Sequence, residues 1–493
     1  MATITALINP GAKSPFDDYD QNGFYCEFFG LDKEPGPRNI RIWQRLQQVG
    51  IDSLKKRAHE AETELFDLGV TFTVYSDSSA VDRILPFDVV PRIITAYEWR
   101  RLERGIRQRT EALNLFLADI YHDQNILNDG VVPSELVVGN TNYRPEIRGL
   151  HVPSATYIHV SGTDLVRGPK GEFFVLEDNV RTPSGVSYVI ENRHLMQRSF
   201  PDLLEGLRIR EVSGYAEHLH AKLAEVAPTS VLSPNIVLLS PGPYNSAYFE
   251  HIFLAREMGI PLVEGRDLVV ENDRVYTRTV AGLEQVHVIY RRINDEFLDP
   301  EVFYDGSMLG VAGLMRAVRR GTVALANAVG TGVADDKAVY AYVPRMIKYY
   351  LGEDPILPNV ETHVCGESAG LAYTLANLER LVLKPVGESG GYGIVVGPKA
   401  SRAELEAARH RLIANPSRFV SQPMVDLSVC PTLMEHGLAP RHVDLRPYAI
   451  TGKGTWVLPG GLTRVALSEG SIIVNSSQGG GTKDTWVLEE ELP

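Results

Sequence analysis

Apolar residues recur at helical spacing in several parts of the chain. The clearest case is the range 95–121, where Leu102, Ile106 and Leu113 fall on one face and arginines on the other. The same spacing predicts helices over the ranges 40–68, 245–258, 308–327, 338–350 and 402–413. Alternating or continuous apolar runs predict strands over 70–75, 235–240, 261–263, 286–290, 419–425 and 442–450. Because strands and a helix alternate over 235–290, the pattern predicts an α/β fold with a βαβ unit.

Two further predicted strands form a hairpin that carries oxygen-bearing side chains. The ranges 156–167 and 172–179 alternate as strands do, and a Gly-Pro-Lys-Gly turn joins them. Successive side chains of a strand point to opposite faces of the sheet. Glu177 and Asn179 therefore point to the same face.

Asp164 joins this group if the hairpin pairs Arg167 with Glu172. In that register Asp164 lies diagonal to Glu177 on the same face, within roughly 8 Å. Carboxylate and amide oxygens suit Mg²⁺, which shares its remaining positions between water and phosphate oxygens. We interpret the group as a magnesium site, and the competing interpretation is an acidic strand end that pairs with nearby Arg181.

A glycine-rich loop follows a lysine in the range 381–397, which reads LVLKPVGESGGYGIVVG. Two apolar runs flank the loop, so the pattern predicts strand, loop and strand, with Lys384 at the end of the first strand. Glycine lets backbone amides approach a ligand closely, and consecutive amides bind anions. The order differs from a P-loop, in which glycines precede the lysine and a helix follows. The stretch is either a flap over phosphates or a glycine hairpin with a surface lysine.

Two predicted strands near the C-terminus carry further candidate contacts. Asp444 and Arg446 share a face of the strand over 442–450, and Arg446 presents a planar fork suited to a phosphate or a carboxylate, unless it simply pairs with Asp444. Pro423 interrupts the strand over 419–425 and removes one backbone donor. The interrupted strand is interpreted either as a resting place for adenine or as an edge strand that leaves its sheet.

Other ligand-binding signals are weaker. Arg291 and Arg292 follow a predicted strand, where open α/β sheets bind ligands, but structural ion pairing explains them equally well. The range 475–483, NSSQGGGTK, either contacts phosphate through its backbone or forms a flexible loop. The strand over 235–240 lacks a following GxGxxG, which disfavours a nicotinamide-dependent oxidoreductase.

Composition narrows the function classes. The 49 Lys and Arg against 62 Asp and Glu give a net charge of -13, which disfavours non-specific binding to nucleic acid or an anionic membrane. A chain of 493 residues with 44% hydrophobic residues is long enough for roughly three domains. The 3 cysteines are far apart and predict neither a disulfide framework nor a zinc site. Without a signal-peptide pattern or a transmembrane-length apolar run, we expect a cytoplasmic protein.

The chain resembles the circularly permuted ATP-grasp family, whose members are similar to glutathionylspermidine synthase. The motifs that carry the resemblance are VLEDNVRTPSG over 175–185, DDKAVYAYVP over 335–344, VLKPVGESGGYG over 382–393 and VDLRPY over 443–448. In the family's ordinary order the lysine and the flap precede a Glu-x-Asn motif, whereas Glu177-Asp178-Asn179 here precedes Lys384. The resemblance runs from about residue 69 to the C-terminus.

The resemblance implies an α/β fold with α+β lobes, in which two lobes clamp ATP beside a βαβ pre-grasp domain. It implies a partly helical N-terminal extension over 1–68, a metal-binding half over 69–233, a pre-grasp substrate domain over 234–330 and a lobe with lysine, flap and hinge over 331–493. The implied cofactors are ATP and Mg²⁺. The implied activity is an ATP-dependent ligase that joins a small-molecule or peptide carboxylate to an amine through an acyl phosphate, with ADP and phosphate as products.

The resemblance also implies roles for individual residues. The expected ATP contacts are Lys337 and Lys384 at the phosphates, Ser389, Gly390, Gly391 and Gly393 in the flap, and Gln422 and Met424 at the adenine hinge. The expected Mg²⁺ ligands are Glu177 and Asn179, to which the hairpin geometry adds Asp164. Arg446 and Arg181 are expected to stabilise charge on the transferring phosphoryl group and the acyl phosphate. The alternatives are a phosphotransferase on the same fold and a catalytically silent ATP-binding module.

Overall fold

The computed structural model describes residues 14–31, 34–36, 38–76, 79–228, 231–387, 393–472, 474 and 479–489. Its helices are α1 Ile40–Val49, α2 Ile51–Asp67, α3 Ala96–Ile120, α4 Asn125–Asn128, α5 Ser134–Val138, α6 Val186–Ser199, α7 Pro201–Leu204, α8 Tyr215–Glu225, α9 Tyr248–Met258, α10 Leu314–Arg319, α11 Lys337–Tyr340, α12 Val343–Leu351, α13 Ser368–Asn377 and α14 Arg402–Ala414. Its strands are β1 Thr71–Ser76, β2 Ser79–Ile84, β3 Phe87–Ile94, β4 Val160–Arg167, β5 Phe173–Asn179, β6 Ile236–Leu239, β7 Leu262–Val263, β8 Leu268–Glu271, β9 Arg274–Thr279, β10 Gly282–Val286, β11 Val288–Arg291, β12 Ala324–Ala326, β13 His363–Val364, β14 Leu381–Pro385, β15 Val395–Val396, β16 Phe419–Pro423, β17 Val429–Met434, β18 Gly437–Arg446, β19 Tyr448–Thr451, β20 Thr455–Val457, β21 Leu462–Val465 and β22 Gly481–Val487.

The largest sheet joins strands from both halves of the chain. Its order is β20-β19-β4-β18-β21-β22-β3, with β5 paired to β4 and β17 paired to β18. The β22–β3 pair is parallel, and the other pairs in this sheet are antiparallel. Helix α3 packs on this sheet through buried Trp99, Leu102 and Ile106. A capping box at Thr95 and Glu98 begins the helix, in agreement with the predicted range 95–121.

A second, mainly parallel sheet has the order β12-β11-β6-β7, and its described pairs are parallel. Helix α9 follows β6, which confirms the predicted βαβ unit. The helix predicted over 308–327 is wrong, because only α10, Leu314–Arg319, is helical there and β12, Ala324–Ala326, is a strand. Gly313 at φ 82 begins α10 and Gly321 at φ 68 follows it, so two left-handed glycines limit the helix.

A smaller antiparallel sheet, β13-β16-β14-β15, forms a lobe with α13 and α14, which we call the small lobe, residues 363–423. It has a hydrophobic core of its own that includes Leu383, Leu412 and Phe419. The lysine-bearing strand β14 lies between β15 and β16 in this sheet.

The hairpin β4–β5 differs by one residue from the register expected from its turn. Arg167 pairs with Phe173 rather than Glu172, and the register shifts between Asp164 and Leu165. The shift places Asp164 directly opposite Glu177, not diagonal to it. A one-residue bulge cannot be read from alternation alone.

The glycine-rich tail also differs from both interpretations offered above. Residues 475–478 lie outside the described residues, but residues 481–483 begin β22 inside the large sheet. Lys483 is buried and its Nζ donates to Asp88 and to the carbonyl of Val90 at 3.2 Å. This part of the stretch is therefore a structural strand.

The three cysteines are buried and form no disulfide. Within the described ranges, no helix is both long and apolar enough to cross a membrane.

Candidate functional site

A cleft of about 420 Å³ lies between the small lobe and the large sheet. The expected site residues that line it are Asp164, Glu177, Asn179, Arg181, Lys337, Lys384, Gln422, Met424 and Arg446. They come from chain segments that are far apart in sequence and meet only in the folded protein. Ser389, Gly390 and Gly391 of the expected flap lie outside the described residues, and Gly393 is not among the residues that line the cleft.

The Glu-x-Asn motif forms the end of β5. Glu177 is within 3.8 Å of Lys337 Nζ and 4.0 Å of Arg446 Nη2, so two cations face its carboxylate. Asp178 between the two candidate ligands bonds to the buried Arg109 through both carboxylate oxygens, at 2.7 to 2.9 Å. The ion pair of Asp178 with Arg109 therefore fixes the end of β5 between the two candidate ligands.

Asp164 belongs to a buried network of two carboxylates and two guanidiniums. Arg446 donates to both of its oxygens, and Arg464 Nη2 donates to Oδ2 at 2.6 Å. Arg464 also donates to Asp444, so Asp444 pairs with Arg464 and Arg446 pairs with Asp164. Burial alone would raise the pKa of Asp164, but the charges of Arg446 and Arg464 outweigh it and lower the pKa. With both oxygens engaged by arginines, Asp164 orients Arg446 in this arrangement, and its role as a metal ligand stays a prediction.

Lys384 and Lys337 supply positive charge to the cleft from two different elements. Lys384 lies on β14 of the small lobe, whereas Lys337 is the first residue of α11. Burial lowers the pKa of Lys384 to about 8, and the nearby charge of Lys337 lowers it further while Glu177 opposes the shift. Among the described residues, Lys384 has no hydrogen-bond or ion-pair partner. A half-buried ammonium without a described partner is suited to an anionic ligand.

The segment that follows Glu-x-Asn is held through its backbone. Asp335 accepts hydrogen bonds from the amides of Val180 and Arg181, and Asn327 Nδ2 donates to their carbonyls at 2.6 and 3.1 Å. Further along, Glu250 accepts from the amide of Gly185 at 2.7 Å. The second sheet and its helices thus fix one wall of the cleft.

Arg291 and Arg292 have structural partners, as one of the two interpretations expected. Arg291 pairs with Asp295 at 2.6 Å and donates to the carbonyls of Asn327 and Ala328. Arg292 donates to the carbonyl of Pro183 at 2.8 Å and to Ser184, and it pairs with Glu250. Both side chains are buried, and neither presents a free charge to the cleft.

The expected hinge lies at the end of β16. The side-chain amide of Gln422 donates to Thr362 Oγ1 at 2.9 Å, so a nucleobase there would meet the backbone rather than this amide nitrogen. Pro423 is the last residue of β16, and Met424 follows it along the cleft.

Arg464 and Glu250 line the cleft and were missed in the sequence. A signal for Arg464 exists, since a charged residue within the apolar strand β21, Leu462–Val465, is unusual unless it is paired. Glu250 gives no such signal, because one glutamate on an amphipathic helix is ordinary.

Comparison with known proteins decides the family. The family model described as circularly permuted ATP-grasp type 2 matches residues 91–466. The chain belongs to this circularly permuted ATP-grasp family. The match spans the strands and helices that carry the expected site residues of the cleft, from β4 to β21.

Relatives of this ATP-grasp protein extend over nearly its whole length. An uncharacterized protein of Synechocystis sp. is 50% identical over 472 residues, which are 96% of this chain and 98% of that protein. A protein of Frankia alni named putative glutamate--cysteine ligase 2-3 is 44% identical over 92% of this chain, but the match covers 52% of that protein. A glutathione synthetase-like effector of Globodera pallida has a similar fold, with a TM-score of 0.58, 12% identity, and coverage of 89% of this chain and 98% of that one.

Proposed function

We propose that this ATP-grasp protein is an ATP-dependent ligase that joins a carboxylate to an amine through an acyl phosphate, with ADP and phosphate as products. The observation that carries the proposal is the cleft, in which two lysines face the carboxylate and amide of Glu-x-Asn. A purely structural protein has no use for a half-buried lysine that has no partner among the described residues opposite such a pair. The name of the Frankia alni relative supports a ligase, although it refers to a protein about twice as long as the match.

The residues present fit a magnesium nucleotide. Asn179 has a buried amide nitrogen without a hydrogen-bond partner, and no described residue donates to its oxygen, so the amide oxygen is available as a ligand. Within the described part of the chain, no group of three His, Cys, Asp or Glu side chains could hold a metal ion. A site with few protein ligands suits Mg²⁺, which keeps waters and phosphate oxygens in its coordination shell. Glu177 and Asn179 would hold the ion, and when bound it would neutralise charge on the phosphates.

The remaining side chains would bind and orient the reactants. Lys384 and Lys337 would hold the phosphates from two sides, while apolar Val382, Val396 and Ile472 of the cleft would pack against the base. Arg446, held by Asp164, would keep its guanidinium beside the transferring phosphoryl group. Because these groups are fixed before the reactants arrive, they would stabilise developing charge without reorganising.

The decisive experiment follows nucleotide products during incubation with Mg-ATP and panels of acids and amines. We expect ADP and phosphate to be released only when both an acid and an amine are present. Lys384→Met serves as the inactive control, and the surface variant Lys348→Met serves as the active one, because Lys348 is exposed and pairs with Asp354 outside the cleft. Formation of AMP and pyrophosphate would rule out the acyl phosphate.

Two alternatives are separated by the same assay. A stable phosphorylated product formed without an amine would identify a phosphotransferase. Binding of Mg-ATP that depends on Lys384 and Glu177, with no turnover by the parent protein for any acid and amine, would identify a silent ATP-binding module.

A further inference from the structure

Arg181 is a cation of the cleft whose guanidinium has no hydrogen-bond acceptor among the described residues. Its side chain is 28% exposed, and its guanidinium donates no hydrogen bond to any described residue. Its Nε is buried without a partner, and the nearest carboxylate oxygen, Asp335 Oδ2, is 3.6 Å away. At that separation the two charges attract but form no hydrogen bond.

Three other arginines around this site donate hydrogen bonds from their guanidiniums to carboxylates. Arg446 and Arg464 bond to Asp164, and Arg292 bonds to a carbonyl, a hydroxyl and a carboxylate. A partly buried guanidinium without any acceptor is costly, and these three arginines each have at least one carboxylate acceptor. The terminal nitrogens of Arg181 are therefore available to a ligand.

The backbone on both sides of this guanidinium is fixed. The amides of Val180 and Arg181 donate to Asp335, and their carbonyls accept from Asn327. A side chain that extends from a fixed backbone can serve as a selective contact.

Arg181 and Arg446 face different carboxylates of the cleft. Arg446 comes within 4.0 Å of Glu177, whereas the described ion pair of Arg181 is with Asp335, the last residue of the short helical turn Thr331–Asp335 before α11. The amide of Asn142 also lines the cleft. Lys384, Lys337 and Arg446 already supply positive charge for the phosphates, so Arg181 remains for a negative group that the substrate brings.

We propose that Arg181 determines acid specificity by binding a second carboxylate, so that the acid substrate carries two carboxylates, of which one is activated. This inference rests on the proposed function, since it names the substrate class of that site. The carboxylate that reacts would lie at the Arg446 end, and the second would pair with the guanidinium of Arg181.

Binding of acids tests the proposal without turnover. In the presence of Mg²⁺ and a non-hydrolysable ATP analogue, calorimetry would compare glutarate with valerate, which has the same number of carbons and one carboxylate. We expect the parent protein to bind glutarate at least tenfold more tightly. Arg181→Gln should abolish that preference and leave the affinity for the analogue within twofold, while Arg181→Lys retains part of the preference. Arg104→Gln is the matched control, because Arg104 is exposed on α3.

Turnover gives a second readout. Hydroxylamine traps an acyl phosphate as a hydroxamate, so it replaces the unknown amine. We expect Arg181→Gln to raise KM for dicarboxylates at least tenfold with kcat within threefold. A fall in kcat at unchanged KM would place Arg181 at the transferring phosphoryl group and overturn the proposal.

The calorimetric binding experiment can also contradict the proposal. Equal binding of glutarate and valerate by the parent, including no binding of either, would overturn the proposal, as would loss of the analogue's affinity in Arg181→Gln. If the analogue binds and no acid ever yields ADP, the ligase function fails, while the comparison of the two acids still decides the role of Arg181.

Discussion

Replacement of Lys384 by methionine should stabilise the nucleotide-free protein and weaken its binding of Mg-ATP. Lys384 has no described partner, and burial lowers its pKa to about 8. Below about pH 8 the ammonium of Lys384 is charged and partly shielded from water in the folded protein, whereas water solvates it fully in the unfolded chain. The charge therefore lowers the stability of the folded protein at neutral pH. As the pH rises from about 8 to 10.5, the ordinary pKa of lysine, the folded protein loses this proton while the unfolded chain keeps it, so the loss of stability disappears.

The pKa shift sets the size of the effect on stability, and the lost hydrogen bond to phosphate sets the size of the effect on binding. A fall from 10.5 to about 8 corresponds to about 3 kcal/mol, since one pKa unit is about 1.4 kcal/mol. Because the side chain opens onto the cleft, solvent screening reduces this to about 1–2 kcal/mol. In the complex, loss of a charged hydrogen bond to phosphate costs about 1.5–3 kcal/mol, which is about 10- to 150-fold in affinity.

Scanning calorimetry and titration calorimetry measure the two effects. We expect Lys384→Met to raise the unfolding temperature without ligand at pH 7, and this gain should shrink by pH 10. Its Kd for Mg-ATP should rise at least tenfold. Lys348→Met, which alters an exposed lysine, should change neither quantity appreciably. A Lys384→Met protein that is less stable than the parent, or that binds Mg-ATP as well, would refute the reasoning.

Three further changes test other parts of the site. Glu177→Gln should reduce the gain in ATP affinity that Mg²⁺ provides at least tenfold, and titrations with and without Mg²⁺ measure this; an unchanged gain would exclude Glu177 as a ligand. Gly185→Ala should lower the unfolding temperature, because Gly185 has φ 115 and an added Cβ would lie 2.6 Å from Tyr448 Oη. The control is Gly206→Ala, which should cost only about 1 kcal/mol of stability because Gly206 has φ 65 and open space around it. Equal losses of stability in the two variants would contradict this prediction. Arg464→Leu should lower the free energy of unfolding by about 3–5 kcal/mol, measured by thermal unfolding, because it leaves the buried Asp444 without its ion-pair partner. A decrease of less than about 1 kcal/mol would contradict this prediction.

The sequence predicts the elements that depend on local pattern. Helical spacing predicts α3, which is Ala96–Ile120, almost to its ends. The Glu-x-Asn, lysine and glycine motifs predict the family, because each combines residue types that a binding function needs in a short stretch. The lining of one cleft by Glu177, Asn179 and Lys384 agrees with that expectation, although their chemical roles stay predictions.

Features that depend on distant contacts were not predicted. The bulge in β4–β5 and the strand β12 are set by the neighbouring strands, not by the local pattern. One of the two interpretations paired Arg446 with Asp444 on its own strand, but its partner is Asp164, and Arg464 pairs with Asp444. Alternation places charges on a face but does not say which neighbouring strand supplies their partners.

The unusual order of the motifs has a structural consequence for how the site forms. Arg446 and Arg464 lie 282 and 300 residues after Asp164, yet all three meet because β4 is adjacent to β18 in one sheet. The small lobe, 363–423, is inserted in the chain between these strands. The lysine strand packs on a core within the small lobe, whereas the opposite wall of the cleft requires both halves of the chain. Arg446 is aimed at the cleft only when the large sheet is complete, so the proposed phosphoryl end of the site depends on the longest-range contacts of the fold.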